Sequence, residues 1–301
     1  MEVKSVLEIK NLRKEYKGFT LDIPELNIPQ GFATALIGEN GAGKSTLLNI
    51  LTGIRLDYKG DIRYFGQYTE KDREEGPVKE MIGYTGPGNY YLPQWNVKQI
   101  EEISELLFDN FHLDRFESMC DELALFPGQA MNKSKKVSEF SDGNKMKLMI
   151  ANALARDTKM LIMDEPASPL DPLMRDKLCE LIRTYITEGN GEKSVFFSTH
   201  NISDMENVTD YAIIMEHGRI MEQGFVEDLK EKYVLVKGEA KDLEEAKKVL
   251  YSVSSSNYGF EGIILAQDLD KLAGMDISKE VPSLFQISVA VMKQNSLIRM
   301  K

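Results

Sequence analysis

A glycine-rich loop follows a short apolar run near the start of the chain. The run, residues 32–37, predicts a buried strand, and the loop after it fits the pattern G-x-x-x-x-G-K-[ST]. In this pattern the glycines let successive backbone N–H groups converge on phosphate oxygens, and the following helix adds its positive N-terminal end. The loop therefore predicts binding of a nucleoside triphosphate. The residues predicted to contact it are Gly38, Asn40, Gly41, Ala42, Gly43, Lys44, Ser45 and Thr46.

Three residues at the end of this loop have separate predicted tasks. Lys44 is expected to reach the β- and γ-phosphates, and Ser45 to bind Mg²⁺ through its hydroxyl. Thr46, one step into the helix, can add a contact near the α-phosphate. The alternative, a glycine-rich turn without function, is disfavoured by the strand-to-helix context.

Composition excludes several other classes of protein. The 37 basic and 48 acidic residues give a formal net charge of −11, which argues against a nucleic-acid or anionic-membrane surface, so we expect no nucleic-acid partner. Cys120 and Cys179 show neither disulfide nor zinc-ligand spacing, and a reducing cytosol is the simplest setting. No run reaches the roughly 18 apolar residues of a membrane span, so any work at a membrane requires a partner that holds the chain there.

The order of predicted elements indicates an α/β fold. Strands at residues 6–9 and 20–28 form a β layer before the loop. Further along, strands alternate with helices, which predicts a parallel sheet covered on both faces. These later elements are a helix at 142–156, a strand at 160–163, a helix at 172–186 and a strand at 194–198.

Two regions depart from this alternation. Apolar residues recur at helical spacing from residue 97, which predicts a helical subdomain at about 97–157 whose stripe packs in the core; the stripe is Ile100, Ile103, Leu106, Leu107 and Phe111. The charged segment 70–75 is predicted as a loop. We expect one domain over residues 1–232 and a small α+β appendage over 233–301, with a helix at 243–250 and a serine-rich link at 252–257.

Candidate catalytic residues follow two of the predicted buried strands. Asp164 and Glu165 end the strand at 160–163, where a carboxylate can hold Mg²⁺ and a neighbour can polarise an attacking water. We assign the metal to Asp164 and the role of general base to Glu165. His200 ends the strand at 194–198, where it can touch the γ-phosphate, although a strand-end histidine can also be purely structural.

In this order the motifs resemble those of the ATP-binding subunit of an ABC transporter, from residue 6 to about 232. Ser141 and Gly143 lie where that family has its signature motif, and Asp171 lies in a segment similar to its D-loop. Tyr16 is placed like the aromatic residue that stacks on adenine, with ordinary packing as the alternative, and His200 resembles the family's switch histidine.

The resemblance implies an ATPase that uses ATP and Mg²⁺ and closes as a head-to-tail dimer with a second copy of itself or a homologous ATPase. It implies an integral membrane permease as partner and a cytoplasmic position on the inner face of the cell membrane. Residues 281–287 are similar to a helix start found in two-gene exporters of the ABC-2 type, which move antibiotics or peptides. The alternative is a soluble ABC ATPase that acts on ribosomes or DNA without a permease.

Two positions depart from the family pattern. Pro87 takes the place of the Q-loop glutamine, and proline has neither an amide side chain nor an N–H. Asn89 or a water molecule is available to substitute, whereas Gln94 falls too late in the loop. Asp142 replaces the first glycine of the signature, where we expect it to point outward as a helix N-terminal charge.

Because Pro87 cannot position water, we expect ATP to bind normally and to be hydrolysed slowly, or with weakened coupling to the partner. Pro87→Gln should therefore raise turnover, measured as phosphate release at saturating ATP. Turnover equal to that of the unaltered chain would count against a role for this position.

Overall fold

Strands and helices alternate along most of the computed structural model, which describes residues 3–87 and 90–299. The described residues form strands β1 Ser5–Tyr16, β2 Phe19–Pro29, β3 Ala33–Ile37, β4 Lys59–Tyr64, β5 Tyr68–Thr69, β6 Ile82–Thr85, β7 Met160–Asp164, β8 Ser194–Thr199, β9 Tyr211–Glu216, β10 Arg219–Phe225, β11 Tyr233–Gly238, β12 Ser252–Ser256, β13 Gly259–Leu265 and β14 Ile277–Glu280. They form helices α1 Lys44–Leu51, α2 Glu70–Glu75, α3 Pro77–Met81, α4 Val97–Leu107, α5 Leu113–Glu122, α6 Asp142–Leu154, α7 Pro172–Glu188, α8 Val226–Lys232, α9 Leu243–Ala246 and α10 Leu284–Arg299. None of these described helices combines the length and apolar character that a membrane span requires.

The central sheet has the strand order β10-β9-β3-β8-β7-β6. Strand β3 pairs in parallel with β8 and β9, and β7 pairs in parallel with β6 and β8, while β10 is antiparallel to β9. Every residue of β3, β7 and β8 is buried. The predicted parallel sheet with two covered faces is therefore confirmed, and the carboxyl ends of its central strands lie at one edge.

An antiparallel N-terminal sheet, β2-β1-β4-β5, packs against α1. This helix begins at the end of the glycine-rich, predicted phosphate-binding loop, residues 38–45, the P-loop. Leu47 and Leu51 of α1 belong to one apolar cluster with Ile9 of β1 and with Leu36 and Phe196 of the central sheet. Helix α1 is thus held between two sheets. This packing fixes the direction in which its N-terminus points.

The apolar stripe of the helical subdomain is only partly buried, contrary to the prediction. Ile100 and Phe111 are buried and Ile103 is half-buried, but Leu106 is 82% and Leu107 62% exposed. Helix α4 ends at Leu107 because the chain turns immediately afterwards, so Phe111 is not on the same helix. Leu106 and Leu107 are the last two residues of α4.

Three local predictions were wrong for the same kind of reason. Residues 70–75 form α2 rather than a loop, because Thr69 and Asp72 make a reciprocal capping box at its start. The serine-rich segment 252–257 is largely strand β12, which pairs with β13. The helix predicted at 243–250 is shortened to α9. Backbone capping decides α2 and cross-strand pairing decides β12, and apolar periodicity reports neither.

The C-terminal residues build a third sheet and then return to the main core. The sheet has the order β12-β13-β11-β14 and is antiparallel. Helix α10 buries Leu284, Ile287 and Ala290 in the same cluster as residues of the central sheet. The backbone N–H of Leu284 also donates to Glu206 Oε1 at 2.8 Å.

A buried arginine joins the helical subdomain to the sheet. Arg156 follows α6 and donates to the carbonyl oxygens of Lys79 at 2.8 Å and Ile82 at 3.1 Å. Its guanidinium carbon lies 3.6 Å from the ring centroid of Phe108. Burial lowers the pKa of Arg156 to about 10, so the side chain stays protonated at neutral pH.

Arg156→Ala should lower the free energy of unfolding by about 3 kcal/mol, because buried carbonyl groups lose their donors. Arg115→Ala is the matched control, since Arg115 pairs with Asp157 on the exposed surface, and it should cost about 0.5 kcal/mol. Chemical denaturation of the two variants measures the difference. Equal losses would show that Arg156 does not join the two parts of the molecule.

Candidate nucleotide-binding site

The P-loop lines an open cleft of about 690 Å³ at the carboxyl edge of the central sheet. Tyr16 and Glu165 both line this cleft. Most of the predicted contact residues therefore meet in one place. The residues that line the cleft are Tyr16, Phe19, Glu39, Asn40, Gly41, Gly43, Lys44, Ser45, Thr46, Asn49, Arg55, Pro87 and Glu165.

Two glycines of the loop are required by its backbone and packing. Gly43 is the residue before α1 and has φ 109°, and a Cβ there would lie 2.8 Å from Cζ of Phe19. A Cβ on Gly38 would lie 2.4 Å from the carbonyl oxygen of Met215. Gly38 and the buried Ala42 therefore form the base of the loop and do not line the cleft.

Lys44 is buried and its ammonium group lies across the loop. Nζ donates to the carbonyl oxygens of Gly38 at 2.7 Å and Glu39 at 3.3 Å. It also lies 3.3 Å from Glu165 Oε1. A buried ammonium needs such partners, and a phosphate that enters the cleft would compete with Glu165 for this cation.

The two carboxylates at the end of β7 have different environments. Asp164 is buried, and its Oδ1 accepts a hydrogen bond from Ser198 Oγ at 2.5 Å. Glu165 has a left-handed backbone with φ 50°, and its N–H donates to the same Ser198 oxygen at 3.0 Å. Ser198 was not predicted. The sequence feature that could have indicated Ser198 is a hydroxyl side chain within a predicted buried strand.

Glu165 also contacts the predicted switch histidine. Its Oε2 lies 2.7 Å from His200 Nδ1, while its Oε1 faces Lys44. Glu165 thus bridges the P-loop lysine and the histidine at the end of β8. A carboxylate in this position can accept a proton from a water next to the phosphates.

The predicted signature and D-loop residues make local contacts within their own chain. Ser141 caps α6 by accepting from the N–H of Asn144 at 3.3 Å, and Asp171 caps α7 by accepting from the N–H of Met174 at 3.1 Å. A Cβ on Gly143 would lie 2.7 Å from the carbonyl oxygen of Pro169. Neither Ser141, Gly143 nor Asp171 lines the cleft of its own chain.

Asp142 and Pro87, the two departures from the family pattern, both lie beside Glu165 and His200. Asp142 is exposed in the first turn of α6 and pairs with Lys145 at 3.0 Å. It lines a groove of about 500 Å³ with Pro87, Glu165 and His200. Pro87 offers this groove and the cleft no hydrogen-bond donor. Asn89, considered as a substitute, lies outside the described residues, and Gln94 lines neither space.

The donors present fit a nucleoside triphosphate with Mg²⁺. The Ser45 hydroxyl and the Asp164 carboxylate are hard oxygen ligands of the kind that Mg²⁺ takes, and Lys44 with the loop N–H groups suits phosphate. Within residues 3–87 and 90–299 no cluster of three or more metal-ligating side chains occurs.

Fold and cleft together define a P-loop nucleoside triphosphatase, and comparison with known proteins identifies its family. A sequence model described as ABC transporter matches residues 21–168. The lantibiotic transport ATP-binding protein SrtF of Streptococcus pyogenes is 33% identical over 219 residues, which cover 72% of this chain and 89% of SrtF. The tungstate uptake system ATP-binding protein TupC of Peptoclostridium acidaminophilum is 30% identical over 218 residues, which cover 72% of this chain and 97% of TupC.

A longer relative and a solved structure are also similar to this chain. ATP-binding cassette sub-family A member 6 of Homo sapiens is 29% identical over 224 residues, which span 72% of this chain but 13% of that protein. A solved ATP-binding subunit of an ABC transporter has a TM-score of 0.64 and 25% identity, covering 75% of this chain and 92% of that structure. The chain belongs to the ABC transporter family. It is an ATP-binding subunit with ATPase activity, and the predicted fold class is confirmed.

Glu165→Gln should leave ATP bound and lower hydrolysis by at least about 100-fold, because the proton acceptor is removed. ATP affinity should be kept, since Lys44 is released from its ion pair with Glu165. Phosphate release and equilibrium dialysis measure the two quantities. The control is Glu39→Gln, a cleft carboxylate on the loop itself, which should hydrolyse ATP nearly normally. Ordinary turnover in the Glu165→Gln chain would remove Glu165 from the role of base.

Proposed function

We propose that this chain binds ATP and Mg²⁺ in the P-loop cleft and hydrolyses ATP with Glu165 as general base. The observation that carries the proposal is the bridge that Glu165 makes between Lys44 and His200. Ser45 and Asp164 are the proposed metal ligands, and Tyr16 is the proposed stacking partner of the base. Mg²⁺, when bound, neutralises charge on the phosphates.

The catalytic role of each side chain follows from its contacts. Lys44 exchanges Glu165 for phosphate oxygens, which leaves the carboxylate free to take a proton from water. His200 holds the other oxygen of Glu165 and keeps the carboxylate directed at the cleft. Ser198 supports this arrangement, because its hydroxyl accepts from the Glu165 N–H and donates to Asp164.

We propose that a second subunit completes the site. Ser141, Gly143 and Asp171 do not line the cleft of their own chain, although they carry the family's signature and D-loop positions. In a head-to-tail dimer the start of α6 of one copy would face the phosphates in the other. A second copy of this chain or a homologous ATPase can fill this place.

A permease is the proposed partner of an apolar groove on the helical subdomain. The groove has a volume of about 390 Å³ and lies between β6 and α4. Aromatic side chains with exposed area, which are favourable interface anchors, line it together with the exposed Leu107. The groove residues used here are Tyr90, Tyr91, Trp95, Ile103 and Leu107. Through this contact the chain would lie on the cytoplasmic face of the membrane.

Export is the proposed direction, on the resemblance of residues 281–287 to the helix start of two-gene exporters. In the structure this segment leads into α10, which packs against the main core. We also propose the division into an ATP-binding domain, residues 1–232, with a helical subdomain at about 97–157, and an accessory domain, residues 233–301. Support comes from a separate small cluster within the C-terminal sheet, formed by Val236, Ala246, Leu250, Phe260, Ile264 and Leu272.

The permease proposal is tested by recovering the Glu165→Gln chain with ATP from detergent-solubilised membranes of its own host. We expect mass spectrometry to identify an integral membrane protein. In the same background Leu107→Glu should lose that protein, because a charge enters the apolar groove. The control is Val281→Glu, at an exposed apolar residue outside the groove, and this variant should still recover the membrane protein. Recovery of ribosomal or DNA-associated proteins instead would reject the permease.

A further inference from the structure

Two cations lie over the ring of Tyr16, and they belong to different surfaces. Lys14 Nζ is 5.1 Å and the guanidinium carbon of Arg55 is 5.4 Å from the ring centroid. Arg55 lines the nucleotide cleft together with Tyr16, whereas Lys14 lines a separate surface pocket. Of the two cations, Arg55 is therefore the one that lines the nucleotide cleft beside the Tyr16 ring.

The position of Arg55 is built by the chain around it. After α1 ends, the backbone N–H of Arg55 donates to the carbonyl oxygen of Asn49 at 2.9 Å, which turns the chain back toward the cleft. Asp57 Oδ1 lies 3.1 Å from Arg55 Nη1, and the other oxygen of Asp57 pairs with Lys14. Lys14 first and Arg55 second lower the pKa of Asp57, so the carboxylate that orients the guanidinium stays ionised.

The chemistry of a guanidinium in this position suits a purine base. Arginine stacks on π faces, and its planar fork donates two parallel hydrogen bonds. Guanine presents two acceptors, N7 and O6, on one edge, while adenine presents N7 beside an amino donor. A pyrimidine has no N7. Tyr16 is 39% exposed, so a base can reach its ring next to Arg55.

We propose that Arg55 is a base-contacting specificity residue of this ATPase. Its guanidinium lies at the edge of the purine that stacks on Tyr16 and donates to N7, with a second bond to O6 when the base is guanine. The site therefore prefers purine to pyrimidine triphosphates and accepts GTP at least as well as ATP. This inference rests on the proposed stacking of the base on Tyr16.

The test uses isothermal titration calorimetry of the full chain with Mg²⁺ and methylene-bridged analogues of ATP, GTP and CTP, and with inorganic tripolyphosphate. Arg55→Ala should weaken binding of the GTP analogue about tenfold and of the ATP analogue about threefold. The affinities for tripolyphosphate and for the CTP analogue should not change. Arg55→Lys should keep part of the ATP affinity and lose the guanine preference, because lysine lacks the planar fork.

The control is Arg13→Ala, a neighbouring arginine paired with Glu15 outside the cleft, which should bind every ligand normally. An equal loss for tripolyphosphate in Arg55→Ala would make Arg55 a phosphate contact and overturn the proposal. Unchanged binding of all four ligands would overturn it as well. Tyr16→Ala separates the two proposals: if it weakens only the nucleotides while Arg55→Ala weakens none, stacking stands and the role of Arg55 fails.

Discussion

The parallel ladder of β3, β8 and β7 is the constraint on which the site depends. Its register places Ile37 opposite Thr199 and Asp164 opposite Ser198. The chain segments that carry the P-loop, the two carboxylates and His200 therefore leave the sheet side by side. Because these strands are buried over their whole length, a slip of one residue would displace one of these segments and expose the apolar contacts that hold α1.

Within this frame Lys44, Glu165 and His200 form a connected set of contacts. Lys44 is buried and lies near two loop carbonyls and Glu165, and Glu165 in turn contacts His200. A phosphate that contacts Lys44 would compete with Glu165, so phosphate binding and the Lys44–Glu165 contact depend on the same cation. Elsewhere in the cleft Arg55 is oriented by Asp57 and lies over Tyr16. The cleft thus has one cation for phosphate and one beside the expected place of the base.

Pro87 lies between the cleft and the groove that reaches Asp142. A proline at this point gives neither space an N–H or an amide donor. Met149 lines both the groove with Pro87 and the apolar groove proposed for the permease, so the two grooves adjoin.

Local sequence was sufficient where a motif specifies its own backbone. The P-loop pattern, the strand that ends in Asp164 and Glu165, and the parallel sheet were predicted because glycine spacing and apolar runs carry that information directly. Helix α2 and strand β12 were not, since a capping box and cross-strand pairing stabilise segments without apolar periodicity.

Tertiary structure alone decided which residues meet. Ser198 became a partner of both carboxylates only through the register of β7 and β8, and Arg55 reached Tyr16 only because the chain turns back after α1. The exposure of Leu106 and Leu107 likewise depends on where α4 ends against its neighbours. The sequence by itself determined the chemistry of the loop and its strands, because those contacts are local. The three-dimensional packing determined their partners, because those contacts join residues far apart in the chain.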